Sequence, residues 1–214
     1  MKLVSINVSQ PVTVTFQGEE VSTGIFKKPM QGSVAVHKNN LAGDGQADLA
    51  VHGGVDKAVY AYSLDHYAYW QQALRRDSMP YGQFGENLTI SGLSEAECFI
   101  GDHWQIGTAV FAITQPRQPC FKLGVRFNDT DMPKRFTQSG LTGVYLKVLQ
   151  EGIITAGDEI KILKRGPGSV NVNELFRAFM GPALPGSQDI YKRALQIAEL
   201  SDSWRQKIAT RMHR

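Results

Sequence analysis

The stretches FIGDHWQIG (99–107) and ITAGDEIKIL (154–163) decide the fold. Each sets a Gly-Asp turn directly before a short run in which apolar residues alternate, the period of a strand with one face buried. Such turns between short, even strands favour a barrel or a curled sheet over alternating βαβ units. Working outward, the same period of two recurs in LVSINV (3–8), VTVTF (12–16) and SVAVH (33–37), which read as half-buried strands. TAVFAIT (108–114) and GVYLKVL (143–149) are apolar on nearly both faces, as central strands covered on each side must be. The fold class expected is mainly β (α+β): a twisted, closed β-barrel with a small C-terminal three-helix appendage.

One helix interrupts the strands, SLDHYAYWQQALRR (63–76). Ser63 is its expected N-cap, and Tyr67, Trp70 and Leu74 share a face. After RGPGS (165–169) the period changes to 3.6, dividing the chain into an expected barrel domain (1–165) and a helical extension (166–214). The first helix of the extension has Asn171 as N-cap with Glu174 three residues on, and stops at Gly181-Pro182. The second carries Ile190, Ala194 and Ile197. The third starts at Ser201 and carries Trp204, Ile208 and Met212. From Arg165 onward, eight Lys/Arg stand against four Asp/Glu, a net of +4 that leaves −1 of the total +3 for the rest. A chain of 214 residues buries one substantial core without a stapling device.

Cys98 and Cys120 are the only cysteines and lack the paired spacing of a structural zinc site, which suits a reducing compartment. No segment approaches the ~20 apolar residues that span a bilayer, so a cytoplasmic protein is expected. The basic third helix lacks the aromatic interleaving of a nucleic-acid surface, and no nucleic-acid partner is expected.

Three loop segments concentrate polar residues that a fold does not need. In GDGQADLAVHGGVDKAVY (43–60), glycines bracket His52 and Lys57, a phosphate-binding arrangement or a solvated turn. In FGENLTI (84–90), Asn87 either orients a ligand or closes an Asx turn. In QPRQPCFKLG (115–124), Pro116 and Pro119 take the chain off the sheet and hold Cys120 in a stiff loop. Arg117 and Lys122 would favour the thiolate there, provided they face the sulfur; otherwise Cys120 is a buried, inert residue. Lys27 and Lys28, ahead of Pro29, read as a solvated pair, although the lysine held by that proline could reach an anion.

Taken in order, GIFKKP, LAGDGQAD, VHGGVDKAVY, FGENLT, IGDHWQIG and QPRQPCFKLG resemble the MOSC family, the molybdenum cofactor sulfurase C-terminal domain, in its stand-alone bacterial form linked to N-hydroxylaminopurine resistance. The resemblance covers nearly the whole chain, including the three-helix extension. It implies a pterin-bound molybdenum cofactor with Cys120 as the thiolate on the metal. Lys28, Lys57, Asn87, Arg117 and Lys122 are the expected cofactor-binding residues, and His52 a catalytic partner of Cys120. The implied activity is reduction of N-hydroxylated bases and related hydroxylamines to amines, detoxifying base analogues, with electrons from an external flavoprotein reductase. No nicotinamide or flavin motif is present, so the electrons must come from outside. A second reading makes the chain a carrier, in which Cys120 holds a persulfide or the cofactor in transit.

Overall fold

The computed structural model describes residues 1–45, 54–167, 170–181 and 185–212. Eight strands make one mixed sheet. In chain order these are β1 (Lys2–Val8), β4 (Lys28–Pro29), β6 (Val59–Ser63), β7 (Leu88–Ser91), β8 (His103–Ile106), β9 (Ala109–Pro116), β10 (Val144–Gln150) and β12 (Ile160–Lys164). Their spatial order is β12-β8-β9-β10-β6-β7-β1-β4, with β6 and β7 parallel and every other pair antiparallel. The two apolar runs of the sequence, β9 and β10, lie near the centre of this sheet, as their composition requires. Two ribbons stand apart from it: β2 (Val12–Phe16) with β3 (Glu19–Thr23), and β5 (Ser33–Val36) with β11 (Gly152–Thr155).

The sheet curls but does not close into the expected barrel. Its ends meet at a single bridge, Lys2 with Glu159, and three flanking backbone hydrogen bonds: Leu3 N–H to Asp158 O, Gly157 N–H to Leu3 O and Ile160 N–H to Met1 O. A continuous ladder is prevented because the far half of β1 gives its free edge to β4, at Asn7 and Val8. The VTVTF segment also departs from expectation. It is mostly exposed and pairs only with β3, so its alternation does not face the sheet's core.

The period of two along the strands divides the interior. Val59 and Ala61 of β6 and Val144, Leu146 and Val148 of β10 face a large aliphatic core, which continues into the C-terminal helices through Val172, Leu175, Trp204 and Ile208. The alternate residues Tyr60 and Tyr62 face an aromatic core on the other side. Helix α1 (Asp65–Leu74) supplies Tyr67 and Trp70 to it, α2 (Phe121–Phe127) supplies Leu123 and Phe127, and α3 (Met132–Ser139) supplies Phe136. Helix α1 (N-cap Leu64) starts one residue later than expected. Ser63 ends β6, and its hydroxyl still accepts from Asp65 N–H at 3.3 Å.

The C-terminal helices are α4 (Val172–Met180), α5 (Ser187–Leu195) and α6 (Asp202–Met212). The Asn171 carboxamide caps α4 by accepting from Glu174 N–H at 2.7 Å. No helix among the described residues is long and apolar enough to cross a membrane.

Candidate functional site

Strands β6, β9 and β10 end together on the aromatic side of the sheet, and a cavity of about 110 Å3 opens there. Of the seven residues expected from sequence, it brings together five: Lys57, Asn87, Arg117, Cys120 and Lys122. His52 lies outside the described residues. Lys28 is exposed and does not line the cavity; its neighbour Lys27 does. The segment GIFKK is extended, so successive side chains point to opposite sides. Ile25 and Lys27 turn inward, and Lys28 turns to solvent.

A register shift in the β9–β10 ladder shapes the site. Tyr145 pairs with Gln115 and Leu146 with Ile113, which leaves Thr114 as the extra residue of a bulge. Its hydroxyl donates to the Asp56 carbonyl at 2.7 Å, tying the loop that follows β9 to the 3-10 turn Val55–Lys57. Beyond the bulge β9 ends at Pro116, Arg117 turns inward, and Cys120 becomes the N-cap residue of α2. The stiff loop expected around Cys120 is therefore shorter than the sequence suggested. Gly124 in mid-helix and a length of only seven residues hide α2 from the periodicity test.

Arg117 is the electrostatic centre. It is 6% exposed and donates to the Phe84 carbonyl, and its guanidinium lies 4.6 Å from the centre of the Tyr60 ring and 5.4 Å from that of Phe136. No carboxylate pairs with it among the described residues. Burial works against its charge, but a guanidinium is basic enough to stay protonated there. A buried cation balanced only by a carbonyl and aromatic faces costs several kcal/mol relative to one with an anion beside it.

The one acid among the described lining residues, Asp44, is already engaged. Asp44 accepts from Lys27 Nζ and, at 2.9 Å, from Ser9 N–H through one oxygen, and from Asn87 Nδ2 at 2.8 Å through the other. Burial lowers the Lys27 pKa, and Asp44 opposes that fall. Asn87 therefore acts as a clasp: its other contacts are acceptance from Tyr60 N–H at 3.0 Å and donation to the Asn7 carbonyl at 3.3 Å. Besides the Lys27–Asp44 pair, the described lining residues include the cations Lys57, Arg117 and Lys122. Two glycines let the loops converge at its rim, since a Cβ on Gly24 would stand 2.7 Å from the Gly45 carbonyl oxygen.

Tyr60 and Tyr145 complete the wall. Burial raises the pKa of both, so both remain neutral phenols. Tyr60 donates to the Thr142 carbonyl at 2.8 Å. Sequence reasoning missed Lys27, Asp44, Tyr60 and Tyr145. Alternation along GIFKK and along VYLKV would have pointed to Lys27 and Tyr145, because each occupies the face opposite its solvent-facing or core-facing neighbours.

The MOSC domain pattern matches residues 48–161, more than half of the chain. The chain belongs to the MOSC family. YflK of Bacillus subtilis (strain 168) is 39% identical over 203 residues, covering 95% of this chain and 90% of its own length. The crystal structure of YiiM from Geobacillus stearothermophilus superposes with a TM-score of 0.82 at 34% identity, covering 99% of this chain and 98% of that one. A protein named reductase from Gibberella moniliformis (strain M3125 / FGSC 7600) is 35% identical over 151 residues, 69% of this chain but 27% of its own length. MOSC membership fits a function connected with the molybdenum cofactor. The donor set fits that group too: a cysteine sulfur suits a metal already bound to soft sulfurs, and a buried guanidinium lacking a carboxylate suits its phosphate. Among the described residues no group of three or more His, Cys, Asp and Glu side chains is placed to hold a metal by itself.

Proposed function

We propose that this MOSC protein is a cytoplasmic reductase that uses the molybdenum cofactor to convert N-hydroxylated bases and related hydroxylamines to amines. The observation that carries the reading is the meeting of Cys120 with Arg117, Lys57 and Lys122 on one cavity wall. The printed name of the fungal relative supports reductase chemistry. When bound, the cofactor supplies the two-electron redox chemistry. Overall, the hydroxylamine takes up two electrons and two protons, its N–O bond breaks, and amine and water leave. A separate flavoprotein reductase supplies the electrons.

The chain's residues have distinct tasks. Cys120 offers its sulfur to the metal, and Arg117, Lys57 and Lys122 hold the phosphate. Asn87 keeps Asp44 and the start of β6 in place. The Tyr145 hydroxyl, kept neutral by burial, holds a proton at Oη in the same cavity that Cys120 lines.

The test is metal and pterin analysis of the wild type and of Cys120→Ala, both purified without oxygen, followed by assay of N-hydroxylaminopurine reduction with a chemical reductant. Loss of at least about 100-fold in activity together with loss of molybdenum is expected for Cys120→Ala. Equal metal and equal activity would remove the assigned ligand. Sulfur bound at Cys120 and passed to an acceptor, without turnover, would favour a carrier.

A further inference from the structure

Cys120 belongs to two hollows. Besides the basic cavity it forms part of a groove lined by Phe16, Glu19 and Val21 of the β2–β3 ribbon, Pro119 and Phe121 beside the cysteine, and Pro133 of α3. Cys120 is the one lining residue that the two hollows share among those described. Their chemistry is opposite. The cavity carries lysines and an arginine, whereas the groove is walled mainly by aromatic, valine and proline side chains, with Gln17 and Thr130 polar and Glu19 the one charged group among its described lining residues. That carboxylate makes no ion pair among the described residues, and Phe121 is 55% exposed.

The ribbon explains why the groove is built this way. Cross-strand partners share a face, so Val14 with Val21 and Phe16 with Glu19 lie on the same side as Val12 and Thr23. Thr23 lines the basic cavity, and Phe16, Glu19 and Val21 line the groove. One ribbon face thus spans both hollows across Cys120. The alternation in VTVTF serves this wall instead of the sheet's core.

We propose that the groove is the substrate subsite, and that it takes a flat ring whose edge carries N–H donors. The ring lies against Phe121 and Phe16, N–H donors on its edge point to Glu19, and the N–O group points towards Cys120. The assignment rests on the reading of Cys120 as the metal ligand: with the basic cavity given to an anionic cofactor, the groove is the other hollow that Cys120 lines among the described residues. Its walls favour an aromatic ring, and its lone carboxylate favours a donor edge and disfavours anions.

Calorimetric titration of the purified protein, its metal content measured, with adenine as the planar probe and pyrophosphate as the anionic probe separates the two hollows. Phe121→Ser is expected to raise the adenine Kd by about tenfold and Glu19→Gln by about threefold, each leaving pyrophosphate binding unchanged. Arg117→Gln is expected to weaken pyrophosphate and spare adenine. Adenine binding that ignores both groove substitutions, or a stable dimer that buries Phe121, would overturn the subsite. If metal analysis shows no ligand role for Cys120 while adenine binding still depends on Phe121, the cofactor reading fails and the groove's ring selectivity stands. If metal loads normally and adenine ignores the groove, the subsite fails alone.

Discussion

The surroundings of Cys98 and of Cys120 are built from similar materials, a cysteine at an element boundary among charged side chains, and they end in opposite states. Around Cys98 the two buried carboxylates, Glu95 and Asp102, are answered from within the chain. Asp102 receives Arg165, Gly166 N–H and Phe99 N–H, and Glu95 receives the His66 ring at 2.9 Å and Gly143 N–H at 2.7 Å. Cys98 itself is 3% exposed. Around Cys120 the buried cation has a carbonyl, two rings and no carboxylate, and the sulfur borders open space on two sides. A polar cluster that closes on itself holds the fold. One left with unanswered charge has been shaped for a ligand, at a cost in stability.

This contrast can be broken in graded steps. The largest effect is expected where a closed pair is split inside the open site. Lys27→Met strands the Asp44 carboxylate and should cost about 3–5 kcal/mol in urea unfolding, whereas Lys28→Met should stay within about 0.5 kcal/mol. Equal effects would mean that Asp44 is not answered by Lys27. Next, Glu95→Ala removes the acceptor of His66 and Gly143 and should cost about 2–3 kcal/mol. Arg117→Met should do the reverse, stabilising the ligand-free protein by about 1–2 kcal/mol while abolishing pyrophosphate binding. A destabilised Arg117→Met would show that this cation is structural.

The smallest effect concerns the thiols. Burial first, then Glu95 and Asp102, push the Cys98 thiol up to about 12 from an ordinary 9.0. The unfolded chain ionises there near the ordinary value and the folded chain does not. The contribution is therefore complete below about pH 9 and is lost as pH rises towards about 12. Between pH 8 and 10, Cys98→Ala should lose less stability than the wild type loses. At pH 8, iodoacetamide should label Cys120 and leave Cys98 unmodified until the protein unfolds.

Much of this was legible in the residues, for reasons that can be stated. The strands were readable because alternation survives wherever one face is buried, and the capped helix α4 because Asn171 and Glu174 are three apart. The closed barrel was misread, because Gly-Asp turns report short strands but not whether the last edge finds a partner. That depended on β4, two residues long, taking part of β1's edge. Helices α2 and α3 were unreadable for want of length: seven and eight residues give barely two turns. Of the site, the cysteine and its cations stood out by chemistry alone. Lys27 did not, because choosing between two adjacent lysines needs the direction of the extended chain. Tyr145 stayed hidden inside an apolar run, where a phenol reads as packing.

The helix that ends the described chain contributes no atom to the cavity, yet it touches its supports. From α6 and the residue before it, Ser201 N–H bonds to Thr114 O, Asp202 N–H to the Asp56 carboxylate, the Ser203 hydroxyl to Gln115, and Lys207 to Gln118. These four ties fall on the two short segments that carry Lys57 and Arg117. The extension thereby works as a caliper: whatever shifts its seat on the sheet alters the gap between the two cations and, on the proposed reading, the size of the anion that fits between them.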